Sequence, residues 1–383
     1  MASIHGANRP SSKRKLVVVE QTGGNDYLNT VVPYNSGLYY DFRSHTHHDP
    51  ETVIKIDDEV GFGPTMAPIK RLWDEGKVAI INGVGYPNPD RSHFRSMDIW
   101  HTAEPVELKR EGWLGRAIRE MDPKAENVLT GINFGRGLPR AMGCDGVPVA
   151  SVGDLATYGL FPDLQDESMR KYALETFARM YGAAKGREAV MGFLGQTATD
   201  ALKGADAVRV APEIYSSSVE YASNGVAKSL KDAAQVMFAN LGTRISYVQH
   251  GSYDNHAGLL ATHPALWTEL GGAVSDFMDD LQEHDEADDT VIFIFSEFGR
   301  RVRDNGNGAD HGSGGVAFLI GNSVNGGMYG EYPSLEEKDH LDGDLHFNND
   351  FRQTYTSILE GWLGLDADPI VNGRFEPFDL FKS

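Results

Sequence analysis

The sequence predicts an α/β fold in which helices cover both faces of a mainly parallel central sheet. Three observations predict it. Uninterrupted apolar runs at Leu16–Val19, Val78–Ile81, Val291–Phe295 and Val316–Ile320 have the composition of strands buried on both faces. Segments with helical spacing of apolar residues stand between strand candidates, as βαβ order requires. Polar loops rich in Gly, Asn and Asp follow the runs, and open parallel sheets bind ligands beyond the carboxyl ends of their strands.

Taken in order, residues 1–15 are polar and basic and are predicted to be a flexible segment, with residues 16–383 forming one large domain. Leu16–Val19 is too short for the apolar region of a signal peptide, and no stretch is long enough to span a membrane. The expected location is therefore cytoplasmic, or periplasmic or secreted if an export signal has been removed. The first strand ends in Gln21-Thr22-Gly23-Gly24-Asn25-Asp26, a turn that exposes backbone and a carboxylate. A helix from about Met66 to Glu75 precedes the second strand, Val78–Ile81, and a Gly- and Pro-rich turn through Asp90 follows it. About 166–240 is predicted to be a helical insertion, with Tyr172, Leu174, Phe177 and Met180 on an apolar stripe.

Ile245–Val248 is the next predicted strand, followed by a polar loop through His263. A crossover helix then carries Leu266, Leu270, Val274, Phe277 and Leu281 at helical spacing. Val291–Phe295 runs into Ser296-Glu297-Phe298-Gly299-Arg300-Arg301, and a loop bearing Asp310-His311-Gly312 leads into Val316–Ile320. A final helix over Asn349–Leu363 is predicted to bury Phe351, Tyr355, Ile358, Leu359 and Trp362.

Composition narrows the chemistry. A formal charge of −20 opposes binding to nucleic acid and to acidic membrane surfaces. With Cys144 as the single cysteine there is no intrachain disulfide and no multi-cysteine metal site, so metal ligands must be His, Asp, Glu or hydroxyl. Neither Gly23-Gly24 nor Gly83-Val84-Gly85 completes a dinucleotide fingerprint, and no phosphate loop is present, which leaves a nucleotide cofactor unsupported.

The candidate site residues lie at predicted strand ends. Asp254 and His256 follow a strand and alternate to one side of an extended chain, where they can chelate a divalent cation or serve as cap and loop hydrogen-bonder. Glu297 emerges from a buried strand and can bind metal, act as a base, or pair with Arg300 or Arg301. Asp310 and His311 sit in a glycine-rich loop able to deliver both groups. In Arg91-Ser92-His93 a hydroxyl stands beside an imidazole and a guanidinium; Ser92 is a nucleophile or an N-cap, and Arg91 can neutralise an oxyanion. The histidines in Arg43–Pro50 would bind metal through His45 and His47 if ordered, and are otherwise exposed loop residues; His263, before Pro264 at a helix start, is a ligand or substrate contact or has a loop or capping role.

Several ordered motifs together resemble an uncharacterised, often twin-arginine-exported branch of the alkaline phosphatase-like and sulfatase-like superfamily. They are Gly23-Gly24-Asn25-Asp26 with Val31-Val32-Pro33-Tyr34, Gly85-Tyr86-Pro87-Asn88 through Phe94, Tyr253-Asp254-Asn255-His256, Ser296–Arg301 and Asp310-His311-Gly312. The resemblance implies an alkaline phosphatase-like sheet with one or two divalent ions (Zn, Ca, Mg or Mn) at the strand ends. It implies Asp26, Asp254, His256 and His311 as metal residues, Glu297 near the usual Asp-His after the long buried strand, and Ser92 in the region of the nucleophile; Asp310, beside His311, completes the expected metal set. Three departures stand out: Ser296-Glu297-Phe298 replaces Ser-Asp-His, Glu20 rather than Asp directly ends the first strand, and the Cys-x-Pro-x-Arg sulfatase signature is absent.

The expected function is metal-dependent hydrolysis of a phosphate or sulfate ester, with Ser92 or a water attacking. Ser92, His93, Glu297, Arg91 and Arg300 are the expected catalytic set, the arginines holding a small anionic substrate. Two alternatives remain at this level: a glycan-active enzyme using carboxylates such as Glu297 and Asp310, and a non-catalytic metal- or ligand-binding protein.

Overall fold

The computed structural model describes residues 13–155, 158, 167–182, 195, 200, 204 and 207–382. Its strands are β1 (Lys15–Thr22), β2 (Val31–Val32), β3 (Ile54–Lys55), β4 (Gly61–Phe62), β5 (Val78–Gly85), β6 (Gly131–Asn133), β7 (Ala150–Ser151), β8 (Ile245–Gly251), β9 (Thr290–Ser296), β10 (Gly315–Ile320), β11 (Gly327–Tyr329) and β12 (Asn349–Asp350). Nine of them form one sheet in the order β11-β5-β10-β9-β1-β8-β6-β7, with β12 beside β5; β2, β4 and β3 form a small antiparallel sheet. The central sheet is mainly parallel, as predicted: β1 runs with both β8 and β9, β6 with β7 and β8, and β5 with β11 and β12.

β10 is the exception, antiparallel to β9 and to β5. The connection from Glu297 to Gly314 contains no helix. A strand that returns beside its predecessor without a crossover must reverse direction.

Alternation along the strands divides the core between two faces. Val17, Val19, Ile292 and Ile294 pack against the helices Ala67–Asp74, Gly225–Phe238 and Leu259–Glu283. Leu16, Val18, Val291, Phe293 and Phe295 pack against His93–Thr102, Trp113–Met121 and the C-terminal helix Phe351–Thr356, which continues as a wider turn over Ser357–Leu363. Each fully buried aliphatic or aromatic side chain contributes about 1.5–3 kcal/mol. The five predicted apolar residues of the C-terminal helix are all buried.

Three expectations are corrected. His48, in the Arg43–Pro50 segment, is buried rather than exposed. His263 lies inside the helix Leu259–Glu283, not in a loop, because burial of Leu259 and of the His263 ring draws this segment onto the core. On the helix Glu167–Gly182, Tyr172 and Met180 are exposed, so they form no core stripe. The side chains of Leu174 and Phe177, and most of 183–206, lie outside the described residues.

Burial gives two histidines a measurable signature. It pushes the His263 imidazole down to about 3 and the His48 imidazole down to about 4. The unfolded chain takes up a proton on each near pH 6.5, whereas the folded chain stays neutral there, so stability is present above about 6.5 and is lost as the pH falls. Each imidazole costs about 1.4 kcal/mol per pH unit in that window. Urea unfolding is expected to show a loss of about 3–4 kcal/mol between pH 6.5 and 5 from the two together, a slope that His263→Gln should reduce. A pH-independent midpoint over this range would contradict the assignment.

Candidate metal centre

Strand directions bring the site together. β1, β8 and β9 are parallel neighbours, and β5 runs with them because β10 is antiparallel to both β5 and β9. Their carboxyl ends therefore share one edge, and the start of β10 lies at the same edge. Gly23, Asp254, Glu297 and His93 follow four strand ends, while His311 precedes a strand start. Gly23 has φ +111°, and a Cβ there would lie 2.6 Å from the Asp254 nitrogen, so only glycine allows the β1 and β8 loops to approach this closely.

Three imidazoles surround one carboxylate oxygen. Asp254 Oδ1 lies 3.4 Å from His93 Nε2, 3.1 Å from His256 Nε2 and 3.1 Å from His311 Nε2. The other nitrogen of each ring is engaged: His93 Nδ1 donates to Glu297 Oε1 at 2.8 Å, His256 Nδ1 to Asp310 Oδ1 at 2.8 Å, and His311 Nδ1 to the Arg91 carbonyl at 2.7 Å. A carboxylate or carbonyl can only accept, so each neutral ring presents an Nε2 lone pair to the cluster. His256 Nε2 and His311 Nε2 are 2.9 Å apart, and His93 Nε2 is buried with no hydrogen-bond partner among the described residues. Lone pairs facing one another and a carboxylate require a proton or a cation between them. His93, Asp254 and His311 form a group whose ligand atoms could hold a metal ion.

Charge and packing support that arrangement. Burial pushes the Asp254 carboxyl up, but the hydrogen bond from Arg300, with the His311 ring beside it, outweighs it and holds the group at about 2. The Glu297 hydrogen bond raises the His93 imidazole, and the His256 hydrogen bond lowers the Asp310 carboxyl. Glu297 is held in turn by the Gly23 amide at 2.8 Å and the Ser296 hydroxyl at 2.9 Å. Ser96 donates to the Glu297 carbonyl at 2.6 Å, tying the helix that bears His93 to the end of β9. The Phe298 ring packs 5.0 Å from both the His93 and the His311 rings. The Glu-Phe pair thus orients one imidazole and supports two.

The structure brings together His93, Asp254, His256, Asp310, His311 and Glu297. It does not bring Asp26 to them: the Asp26 carboxylate is buried and clamped by Arg43 at 2.6 and 3.0 Å, a partner that none of the sequence motifs points to. The Arg91 guanidinium turns away to Asp344 at 2.9 Å and Asp342 at 3.2 Å, leaving only its carbonyl at the cluster. Arg300 is also unsuited to holding a substrate anion. Its fully buried side chain donates to the carbonyls of Gly23, Gly24, Tyr253 and Ala309 and to Asp254, so its donors are occupied. Ser92 is exposed at the N-cap position of the helix His93–Thr102, and its side chain makes no capping hydrogen bond.

Carboxylates that hold metal-ligating imidazoles typically contribute 10–100-fold to affinity. Glu297→Gln is accordingly expected to weaken zinc binding by roughly that factor with an unchanged circular-dichroism spectrum. Calorimetric titration would reveal an unaffected affinity if the carboxylate has no such role.

Fold and site together define a mostly parallel α/β protein with a His/Asp group suited to a metal ion at its strand ends. More particularly, the chain belongs to the family described as "Protein of unknown function (DUF1501)", whose model matches residues 83–366. No curated protein matches it. Solved structures that it resembles include a sulfatase from Pseudoalteromonas sp., at 12% identity over 96% of this chain and 71% of that one, with a TM-score of 0.40. A protein in the alkaline phosphatase superfamily from Vibrio parahaemolyticus matches at 12% identity over 96% and 71% of the two chains, with a TM-score of 0.37. The lipoteichoic acid synthase LtaP from Listeria monocytogenes matches at 10% identity over 88% and 75%, with a TM-score of 0.38. These are distant likenesses, and the role of each site residue rests on the geometry of this chain alone.

Proposed function

We propose that this protein is a metal-dependent hydrolase of a phosphate or sulfate ester. The observation that carries the reading is the convergence of the His93, His256 and His311 Nε2 atoms on Asp254 Oδ1, each ring held through its other nitrogen. His93, Asp254 and His311 would hold the ion, with His256 Nε2 beside them. Imidazole and carboxylate donors together favour zinc over calcium or magnesium, which take mainly oxygen donors. When bound, the ion supplies positive charge to a developing oxyanion and lowers the pKa of a nearby hydroxyl.

The chain supplies the rest. Glu297 and Asp310 orient His93 and His256, and the Arg91 carbonyl orients His311. Arg300 keeps Asp254 ionised. Ser92, exposed immediately before His93, or a water attacks the ester. A local positive centre lets a small anionic substrate approach a chain of net charge −20. Glycan cleavage by paired carboxylates is less well supported, because Glu297 and Asp310 are each committed to a different imidazole.

The test is metal analysis of the purified protein, followed by turnover of aryl phosphate, phosphodiester and aryl sulfate esters before and after chelation. Bound zinc and chelator-sensitive turnover of one ester class are expected. A zinc-loaded sample that retains no metal and cleaves none of these esters would remove the reading.

A further inference from the structure

Two arginines beside the candidate metal centre converge on a single turn. The Arg91 carbonyl accepts from His311 Nδ1, and the Arg301 amide donates to the Asp310 carbonyl, so the main chain of both arginines touches the centre. Their side chains meet at Leu341-Asp342-Gly343-Asp344, where Leu341 and Asp344 exchange main-chain hydrogen bonds at 3.0 and 3.1 Å. Asp342 and Gly343 have φ +53° and +84°, and Asp-Gly is a preferred pair for a two-residue turn with both central residues left-handed. The turn sets two carboxylates at different depths: the Asp344 side chain is 1% exposed and the Asp342 side chain 83%.

The buried carboxylate orients the two guanidinium groups, and the exposed one bridges them. Asp344 takes their Nε edges, with Oδ2 at 2.9 Å from Arg91 and Oδ1 at 3.4 Å from Arg301. Asp342 Oδ2 lies 3.2 Å from Arg91 Nη2 and 3.8 Å from Arg301 Nη2, and the same two nitrogens donate to the Asp342 carbonyl at 3.2 and 3.1 Å. Among the described residues neither Nη1 group makes a hydrogen bond. A solvated ion pair such as that of Asp342 is weak and gives way to a competing anion. With the Asp342 carboxylate swung out, two guanidinium charges face one carboxylate, and Asp344 still holds both in place. Planar, forked donors held in this way suit an oxyanion.

We propose that Arg91 and Arg301 form a second anion site beside the metal centre, that Asp342 is its internal occupant, and that it takes an oxyanion carried by the substrate apart from the ester under attack. The substrate assignment rests on the hydrolase reading above; the anion site does not. In a chain of net charge −20, such a site favours an ester with a second negative group over one without.

Inorganic sulfate tests the site on the full chain after chelation, so that no metal-bound sulfate is counted. Calorimetric titration is expected to show one equivalent bound by the wild type, about 2–5-fold tighter binding by Asp342→Asn, and binding weakened about tenfold or more by Arg301→Gln. Asparagine tolerates the left-handed backbone at this exposed position, so the first variant keeps the fold and a gain in affinity cannot come from misfolding. Sulfate binding that neither substitution changes is an adventitious ion only and would overturn the site, as would no binding by either the wild type or Asp342→Asn. For the substrate, kcat/KM of zinc-loaded protein is compared on phenyl, 3-carboxyphenyl and 4-carboxyphenyl esters of whichever oxyanion it cleaves. A preference for a carboxyphenyl ester is expected, and Arg301→Gln should reduce it through KM. Turnover with no such preference, or with one that Arg301→Gln leaves unchanged, would overturn the substrate assignment and leave the hydrolase reading intact. Absence of turnover on all three would overturn both, while the sulfate titration still decides the anion site.

Discussion

Asp254→Asn is expected to abolish stoichiometric zinc binding and to reduce ester turnover by well over the ~100-fold that loss of a supporting carboxylate causes. The substitution keeps the size of the side chain and an oxygen that can still accept from Arg300, which lies 2.8 Å away and has four backbone carbonyls besides. The framework should therefore survive. What disappears is the single negative charge that three imidazole nitrogens face, within 3.4 Å at most. Since the carboxyl is held at about 2, that charge is present in the native protein at any pH near neutrality. Metal analysis after zinc loading, alongside the unfolding midpoint, checks the result. If the Asp254→Asn variant retained one equivalent of zinc, the imidazoles would suffice without the carboxylate.

Arg43→Met is expected to cost about 3–5 kcal/mol of stability, because it strands the Asp26 carboxylate in the core without its counter-charge. Both side chains are essentially inaccessible, at 0% and 2% exposure. Arg43 also donates to the carbonyls of Val302 at 2.7 Å and Arg301 at 2.9 Å, so adding Asp26→Asn should recover only part of the loss. Urea unfolding measures the stability. Zinc stoichiometry in the Asp26→Asn variant tests the role: full binding is expected if Asp26 is a structural ion-pair partner, and loss of binding with stability preserved would restore it as a ligand.

The pair also illustrates where sequence reasoning stops. The large strands were legible because burial on both faces demands continuous apolar runs, and Val291–Phe295 and Leu16–Val19 have them. Asp254, His256 and Glu297 were legible as site candidates because each follows such a run. Asp26 stands at an equivalent strand end, and nothing within its own loop distinguishes a ligand from an ion-pair partner. The answer lies in Arg43, on a different loop, whose sequence context of polar residues suggests exposure although its side chain is buried. The direction of β10 was equally invisible, since an apolar run has no polarity; it follows from the helix-free connection before it. The pairing of Glu20 with His101 escaped notice for a related reason. One lies within a strand and the other near the end of a helix, and only the packing of that helix across β1 and β8 makes them neighbours.

The place of β1 in the sheet has a consequence for how the chain is made. It leaves the ribosome well before its sheet neighbours β8, beginning at Ile245, and β9, beginning at Thr290. At about 5–20 residues per second of synthesis, an apolar strand waits roughly ten seconds or longer for either edge to be covered. The emerging polypeptide thus carries an unpaired, sticky segment until β8 and β9 follow it. Holding factors that shield such segments should bind the nascent chain at β1, and release it only when those two strands have appeared.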